Sequence, residues 1–410
     1  MKVFGDKQSA TDPLTLATLR PRLVEAIGAV DGAHLDPRTF RELTTLRIGG
    51  APAAVVVCRH STALAEVVKI LDAASQALIV LGGGSNLVVG DGPEVADRVV
   101  VLAEADPAVD PEQSKAIAID AESGVARAYA GVNWDVFVAA TVRAGLGGLE
   151  CLSGIPGSVG ATPVQNVGAY GAEIADTLKS VYLYDRRTTR SSWVTPDALG
   201  LSYRYSNLKF TQRAVVTRVE FQLDTEGLSI PLRFGELARH LGISAEEAAQ
   251  GSRAARRPVA EVREAVLELR RRKGMVLEEG DYDTWSAGSF FTNPIVQGTA
   301  ARAAVRAAVA ERVGEAEAER MPVFSVGSEE QPAFKFSAAW LIERAGFTRG
   351  WHLPEAPQAA LSSKHTLALT NRGGASSADV VALARAVRAG VFEAFGVELE
   401  PEPVWLGAQI

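Results

Sequence analysis

Cysteine is nearly missing from this 410-residue chain, which has only Cys58 and Cys151. Two thiols exclude a disulfide framework and point to a reducing compartment. Histidine is also sparse, with five residues scattered from His34 to His365. No H-E-x-x-H and no paired C-x-x-C occurs, so the spacing offers no zinc site and no metal is expected. An excess of positive charge is lacking: the net charge is −7. That removes a global basic field and, with it, nucleic acid as an expected partner. An anionic ligand would need a local cluster of Lys and Arg. Long apolar runs are missing too. None reaches the length of a membrane span, and the opening "MKVFGDKQSATDP" has no apolar signal-peptide core. The expected location is the cytoplasm, without membrane insertion. Oligomeric state is not legible.

What is present suits an ordinary globular protein of two or three domains. Hydrophobic residues make up 47% and charged residues 22%, enough for a sizeable core. "TLATLRPRLVEAIGAV" predicts a helix near the N-terminus. "AAVVVC" (Ala53–Cys58) predicts a strand, and a helix follows near Ser61, with Leu64, Val67, Val68 and Leu71 as its apolar stripe. "DRVVVL", "KAIAID", "VARAYAGV", "SVYLYD" and "AVVTRVEFQL" predict further strands, with an exposed loop at "ADPAVDPEQS" and a helix over Trp134–Gly145. Strands and few helices alternate too irregularly for a doubly wound sheet. Helices dominate later. One opens at Pro258 and ends in Arg270, Arg271, Arg272 and Lys273; an Arg/Ala-rich one, expected to lie solvated on the surface, follows Thr299. "SAAWLIERAG" is short. The last, "SSADVVALARAVRAGVFEAFG", carries a Ser376/Asp379 capping box and a Gly396 stop.

Three stretches carry chemistry. "LGGGSNLVV" places Gly82, Gly83 and Gly84 after a strand, with Ser85, Asn86 and Leu87 behind them. Bare glycine amides let backbone approach a diphosphate. The pattern is neither a dinucleotide fingerprint nor a P-loop, and alone it fits a tight turn equally well. "LECLSGIPGSVGATPVQNVGAYGAE" (Leu149–Glu173) is long, irregular and low in charge, as ligand-binding loops are. Gln165, Asn166 and Tyr170 add hydrogen-bonding groups to it. "WSAGSFFTNP" sets the hydroxyl of Ser289 between Gly288 and the pair Phe290–Phe291. That is either a turn serine or a proton donor held away from water.

Together with "TLRIGG", "YRYSNLKF", "AAWLIERAG", "SSKHTLALTNRG" and a closing "LEPEPVWLG", these stretches make the chain resemble, over about residues 40–408, the UDP-N-acetylenolpyruvoylglucosamine reductases, flavoenzymes of bacterial peptidoglycan synthesis. The resemblance implies an α+β fold. A vanillyl-alcohol-oxidase-type FAD-binding domain of two α/β subdomains would join a smaller α/β substrate-binding domain. It implies an N-terminal extension over 1–36, the FAD-binding domain over 37–225 and a helical linking region over 226–285. The substrate-binding domain would span 286–396, and 397–410 would return to the active site.

FAD would bind non-covalently, with NADPH as reductant and a nucleotide-sugar as substrate. The cofactor positions implied are Arg47, Gly49, Gly82, Gly83, Gly84, Ser85, Asn86, Leu87, Ser153, Gly154, Ile155, Pro156, Gly157, Gly160 and Ala161. Ser289 matches the family's proton donor and Arg204 the arginine that engages the substrate carboxylate. Glu402 matches the carboxylate at the reacting enol. Tyr203, Lys273, Asn293, Lys364 and His365 match substrate-site positions. Lys273, Lys335, Lys364 and Arg372 as a group suit a UDP diphosphate.

The implied reaction reduces an enolpyruvyl ether to a lactyl ether, so charge accumulates beside a carboxylate and calls for a cation or strong donors. A guanidinium meets that carboxylate as a planar fork. The sequence departs from the family's common pattern at "GMVL" after Lys273, at Phe234 where tyrosine is frequent, and at Pro403–Val404 after Glu402. Three other functions compete. A related FAD-dependent oxidase or dehydrogenase would not take electrons from NADPH. A serine hydrolase is disfavoured because no G-x-S-x-G surrounds Ser289. A non-catalytic nucleotide-sugar-binding protein would be colourless or inert.

Overall fold

The computed structural model describes residues 19–106, 108, 109, 115–233, 235–250, 253–328 and 330–410. Three expectations touch the rest. The first residues of the N-terminal helix, Phe234, and part of the 105–114 loop lie outside the described residues. Within them the N-terminal helix spans Pro21–Gly28 and begins at the proline, whose fixed φ and missing N–H suit a first turn.

A four-stranded sheet runs in the order Ala33–Asp36, Ala54–Cys58, Val99–Ala103, Leu78–Leu81. The last three strands are parallel and the first is antiparallel. Its valine runs are covered on both faces, as parallel strands require. The period of two then deals alternate residues into different cores. Val56, Val99 and Val101 pack into one with the helix Ser61–Ala73, whose Leu64, Val67, Val68 and Leu71 are fully buried as the stripe predicts. Val55, Val57, Val100 and Leu102 face another core with Phe40, Leu43, Leu87, Val89 and Leu406. The helix is capped by His60, whose Nδ1 accepts from the Ala63 amide at 3.2 Å, a cap that sequence preferences did not suggest.

The second sheet has five antiparallel strands, in the order Arg190–Val194, Leu178–Asp185, Ala214–Gln222, Val125–Tyr129, Ile117–Asp120. It packs on the helix Trp134–Arg143, where Trp134, Phe137 and Phe221 stack within 6.0 Å of each other. The helix Val259–Arg272 joins this same core through Val262, Ala265, Val266 and Leu269.

The remaining residues build a separate core around Phe290, Phe291, Phe336 and Val387. It lies under a three-stranded antiparallel sheet (Ile295–Gln297, Ala333–Phe336, Val323–Ser325) and three helices, Thr299–Val313, Ala338–Arg344 and Ser377–Phe395. The last helix has the expected Ser376–Asp379 capping box and ends at Gly396 with φ +66°. The Arg/Ala-rich Thr299–Val313 is mostly solvated, anchored by buried Val305 and Val309.

Two crossings tie the cores together. Val404–Leu406 pairs in parallel with Leu87–Val89, and Leu46, Ile48 and Val88 insert into the C-terminal core. Fully burying each such side chain contributes about 1.5–3 kcal/mol.

The loop 157–160 is bonded back onto 130–134: the Gly157 carbonyl accepts from Trp134, and the Gly160 amide donates to Ala130 at 2.9 Å. A Cβ on Gly160 would stand 2.4 Å from that of Ala130. Gly160→Ala should therefore destabilise the fold by about 1–3 kcal/mol through overpacking. Urea unfolding measures it, and an unchanged midpoint would mean that the loop yields freely.

Candidate active site

A cavity of about 620 Å³ opens between the two sheets and reaches the C-terminal segment. One wall is the glycine turn. A Cβ on Gly83 would meet the Gly157 Cα at 2.6 Å, and one on Gly82 would meet the Ser158 Oγ at 2.1 Å. Gly84, at φ +56°, lies against the Leu43 carbonyl. At Gly83 and Gly84 backbone touches backbone, so only glycine fits there. The other wall is Ile155–Ala161. Of the residues expected at the cofactor, Gly82, Gly83, Gly84, Ser85, Asn86, Leu87, Ile155, Pro156, Gly157, Gly160 and Ala161 line this cavity.

The rest of that set lies behind it. The Ser153 hydroxyl donates to the Glu150 carbonyl and the Gly154 amide to Asp135 Oδ1 at 2.6 Å. Gly49 packs against Phe40 and Val89. Arg47, itself at φ +56°, lies over the Trp285 ring at 5.6 Å.

Arg204, Ser289 and Glu402 all line the cavity, although they come from three distant parts of the sequence. Arg204 sits at the tip of a two-residue turn, with Ser202 and Tyr205 exchanging both backbone hydrogen bonds at 3.0 Å. Its φ of +55° is unusual for a side chain of this size. Its Nη2 donates to the Gly168 carbonyl at 2.7 Å, and its Nε lies 3.3 Å from Glu402 Oε1.

Glu402 is placed by backbone pairing on both sides. Its amide donates to the Phe290 carbonyl at 2.9 Å, Thr292 donates to Glu400, and Val404 donates to Asn86. Burial lifts the Glu402 carboxyl above its ordinary value, and Arg204 and Lys209 oppose the shift. Ser289 follows Gly288, which is at φ +76°. The next two residues, Phe290 and Phe291, are fully buried and anchor this bend, while the serine lines the cavity.

The residues expected at the substrate fall elsewhere. Half-exposed Tyr203 sits beside Arg204, with Lys335 Nζ 5.2 Å from its ring. Asn293 Oδ1 accepts from the Ala338 amide and so caps a helix. Lys273, Lys364 and His365 form a cluster outside the cavity lining. Lys273 pairs with Glu236 and Lys364 with Asp281, each at 2.5 Å, and Arg372 pairs with Asp283 at 2.9 Å. Three of the four cations expected to neutralise a diphosphate thus already have a carboxylate partner. Burial first, and then Lys273 and Arg349, push the His365 imidazole down to about 4.

Among the lining residues, Gln165 was expected as a hydrogen-bonding group of its loop, whereas Arg270 and Lys209 were not assigned to the site from sequence. Gln165 accepts from Asn86 Nδ2. Arg270 is buried beside Gly154, with its pKa brought down to about 10 by desolvation, and its Nε has no hydrogen-bond partner. Lys209 is only 7% exposed. Both cations sit in ordinary basic stretches, and nothing in the local pattern marks them as buried. The glycine cradle and the unpaired Arg270 Nε fit a bound anionic cofactor.

Comparison with known proteins agrees. A family model described as "UDP-N-acetylenolpyruvoylglucosamine reductase, C-terminal domain" matches residues 280–406, and one described as "FAD binding domain" matches residues 52–189. The UDP-N-acetylenolpyruvoylglucosamine reductase of Corynebacterium jeikeium is 62% identical, with 93% of each chain covered. That of Nocardia farcinica is 52% identical, covering 90% of this chain and 88% of its own. The crystal structure of the Thermus caldophilus enzyme shares the fold, with a TM-score of 0.57 at 23% identity, over 91% of this chain and 99% of that one. The expected α+β architecture with an FAD-binding domain is thereby borne out. Among the described residues no helix is long and apolar enough to cross a membrane.

The neutral His365 carries a stability consequence. Its folded pKa, about 4, lies below the ordinary value of 6.5. The unfolded chain therefore binds more protons between these values, and stability is lost as pH falls from about 6.5 toward 4. Thermal melts of His365→Gln should show that loss reduced by roughly 1–2 kcal/mol. An identical pH profile would mean that the ring is not held neutral.

Proposed function

The chain belongs to the UDP-N-acetylenolpyruvoylglucosamine reductase family, and from that premise we propose that it reduces UDP-N-acetylglucosamine enolpyruvate to UDP-N-acetylmuramate in this cavity. NADPH is the reductant. The setting is peptidoglycan precursor synthesis in the cytoplasm. The observation that carries the residue assignment is the convergence of Arg204, Ser289 and Glu402 on one cavity that also holds the glycine cradle.

FAD would be held non-covalently on Gly82–Asn86 and Gly157–Ala161 and would supply hydride-transfer chemistry between NADPH and the substrate. The protein supplies the rest. Arg204 meets the substrate carboxylate as a planar fork, with its guanidinium oriented by the Gly168 carbonyl and Glu402. As negative charge builds beside that carboxylate, this fixed cation is worth more than it would be in water.

Glu402 places its carboxyl at the reacting enol. Burial raises its pKa while Arg204 and Lys209 hold that shift back, and its carboxyl is assigned to the growing enediolate. Ser289 Oγ gives the proton to the carbon next to the carboxylate. The resulting alkoxide would lie next to the buried Phe290–Phe291 pair, in the cavity that Arg204 also lines. Tyr203, Asn293 and the cluster of Lys273, Lys364 and His365 are assigned to holding the nucleotide-sugar. The diphosphate would then displace carboxylates from the lysines.

Purified protein should be yellow, should release FAD on denaturation and should bleach with anaerobic NADPH. Folded protein that takes up no flavin would overturn this reading. Ser289→Ala should split the two half-reactions. NADPH should still reduce the flavin at near wild-type speed, while reoxidation by the enolpyruvyl substrate slows about 10²-fold or more. Stopped-flow absorbance resolves the two steps, and equal slowing of both would assign Ser289 to the flavin site or to the fold.

A further inference from the structure

Lys209 is a buried cation that the reaction just described does not use. It lies near the end of "YRYSNLKF", after the turn that presents Arg204, and its side chain lines the cavity. Its Nζ donates to the Arg204 carbonyl at 3.1 Å and to the Glu402 carbonyl at 3.4 Å. The same ammonium lies 5.0 Å from the Phe210 ring centroid. One point charge thus bonds the backbone of two residues almost two hundred positions apart.

Each of those residues needs holding. Arg204 has a left-handed backbone that persists only where its surroundings over-determine it. Its own side chain reaches Gly168, and the turn is closed by Ser202 and Tyr205. Its carbonyl, though, is bonded by Lys209. Glu402 lies where the chain leaves its pairing with Phe290 and enters its pairing with Asn86. Its carbonyl accepts from Lys209 and from Asn86 Nδ2, both at 3.4 Å.

Resting on the function proposed above, we infer that Lys209 is a positioning residue that clamps Arg204 and Glu402 to one another, fixing the guanidinium and the carboxyl that act on the substrate. The clamp also works electrostatically. The charged and titratable groups facing the Glu402 carboxyl are Arg204 and Lys209, with Tyr203 beside Arg204 and Glu173 beyond it. The Phe290–Thr292 segment brings no charge to it. Removing the Lys209 charge leaves burial opposed by Arg204 alone, so the Glu402 carboxyl shifts further upward. An apolar replacement also leaves two inward-facing carbonyls short of a donor.

The test uses Lys209→Met and Lys209→Arg in the flavin-loaded, full-length protein. In Lys209→Met, flavin reduction by NADPH should remain near wild type. Reoxidation by the enolpyruvyl substrate should slow by roughly 10²-fold, as expected when reacting groups lose alignment. The limb of its pH profile that disappears in Glu402→Gln should move to higher pH. Lys209→Arg keeps the charge without the geometry. It should restore that limb while recovering only part of the rate.

A second readout needs no substrate. Infrared titration of the carboxyl band lost in Glu402→Gln should show its midpoint raised in Lys209→Met and near wild type in Lys209→Arg. An unmoved midpoint in both variants overturns the inference, as does wild-type reoxidation in Lys209→Met. If Lys209→Met does not fold, Lys209→Arg with both half-reactions slowed equally also overturns it, because the lysine is then structural. A wild-type protein that binds flavin but never reduces the enolpyruvyl ether would instead overturn the proposed function, and the infrared midpoint would still decide the role of Lys209.

Discussion

The parallel pairing of Val404–Leu406 with Leu87–Val89 is the constraint on which the site depends. It takes the last strand of the chain and lays it beside the strand that leaves the glycine turn. Residues 400–402 are bonded on their other side to Phe290–Thr292. Glu402 is therefore fixed at a three-way junction between the turn of Arg204, the segment that follows Ser289 and the cofactor cradle. No single core owns the site. Arg204 is held in a closed turn and Glu402 by backbone pairing, and Ser289 is next to Phe290, whose amide donates to the Leu367 carbonyl, as precise placement requires.

Glycine and buried charge then divide the labour. Where backbone comes close to backbone, at Gly83 on Gly157 and Gly160 on Ala130, there is no room for a side chain. Where charge is needed inside, it is positive: Arg204, Lys209 and Arg270 all line the cavity of a protein whose net charge is −7. Burying cations is costly. Arg204 and Lys209 offset part of that cost against backbone carbonyls and one carboxylate, while the Arg270 Nε is left unpaired. The cations outside the cavity differ, because Lys273, Lys364 and Arg372 each have a carboxylate neighbour.

Much of the fold was legible because its signals are local. The valine runs, the stripe of Ser61–Ala73, the Ser376–Asp379 box and the glycine stops each follow from a few neighbouring residues. So did the glycine turn, although residues alone left it balanced between a turn and a cradle. The site was less legible. Ser289, Arg204 and Glu402 came from resemblance, since no spacing relates them. Ser153 and Gly154 were expected at the cofactor because they belong to the same motif, yet their polar atoms are spent on Glu150 and Asp135. Lys209 and Arg270 were passed over because composition cannot separate a buried cation from a solvated one. Their burial is a property of tertiary packing.

The same closing strand has a consequence for synthesis. Leu87–Val89 emerges from the ribosome long before its partner Val404–Leu406, so this pairing closes a loop spanning most of these residues. The entropy of such closure grows only slowly with length, but contacts so distant in sequence form late and slowly. A nascent chain can complete its valine sheet and even its glycine cradle while still tethered. It cannot assemble Glu402 with Arg204 until Val404–Leu406 has been made and has paired with Leu87–Val89. On the function proposed above, a chain in which this last pairing has not formed has its glycine cradle but not the carboxyl that completes the site.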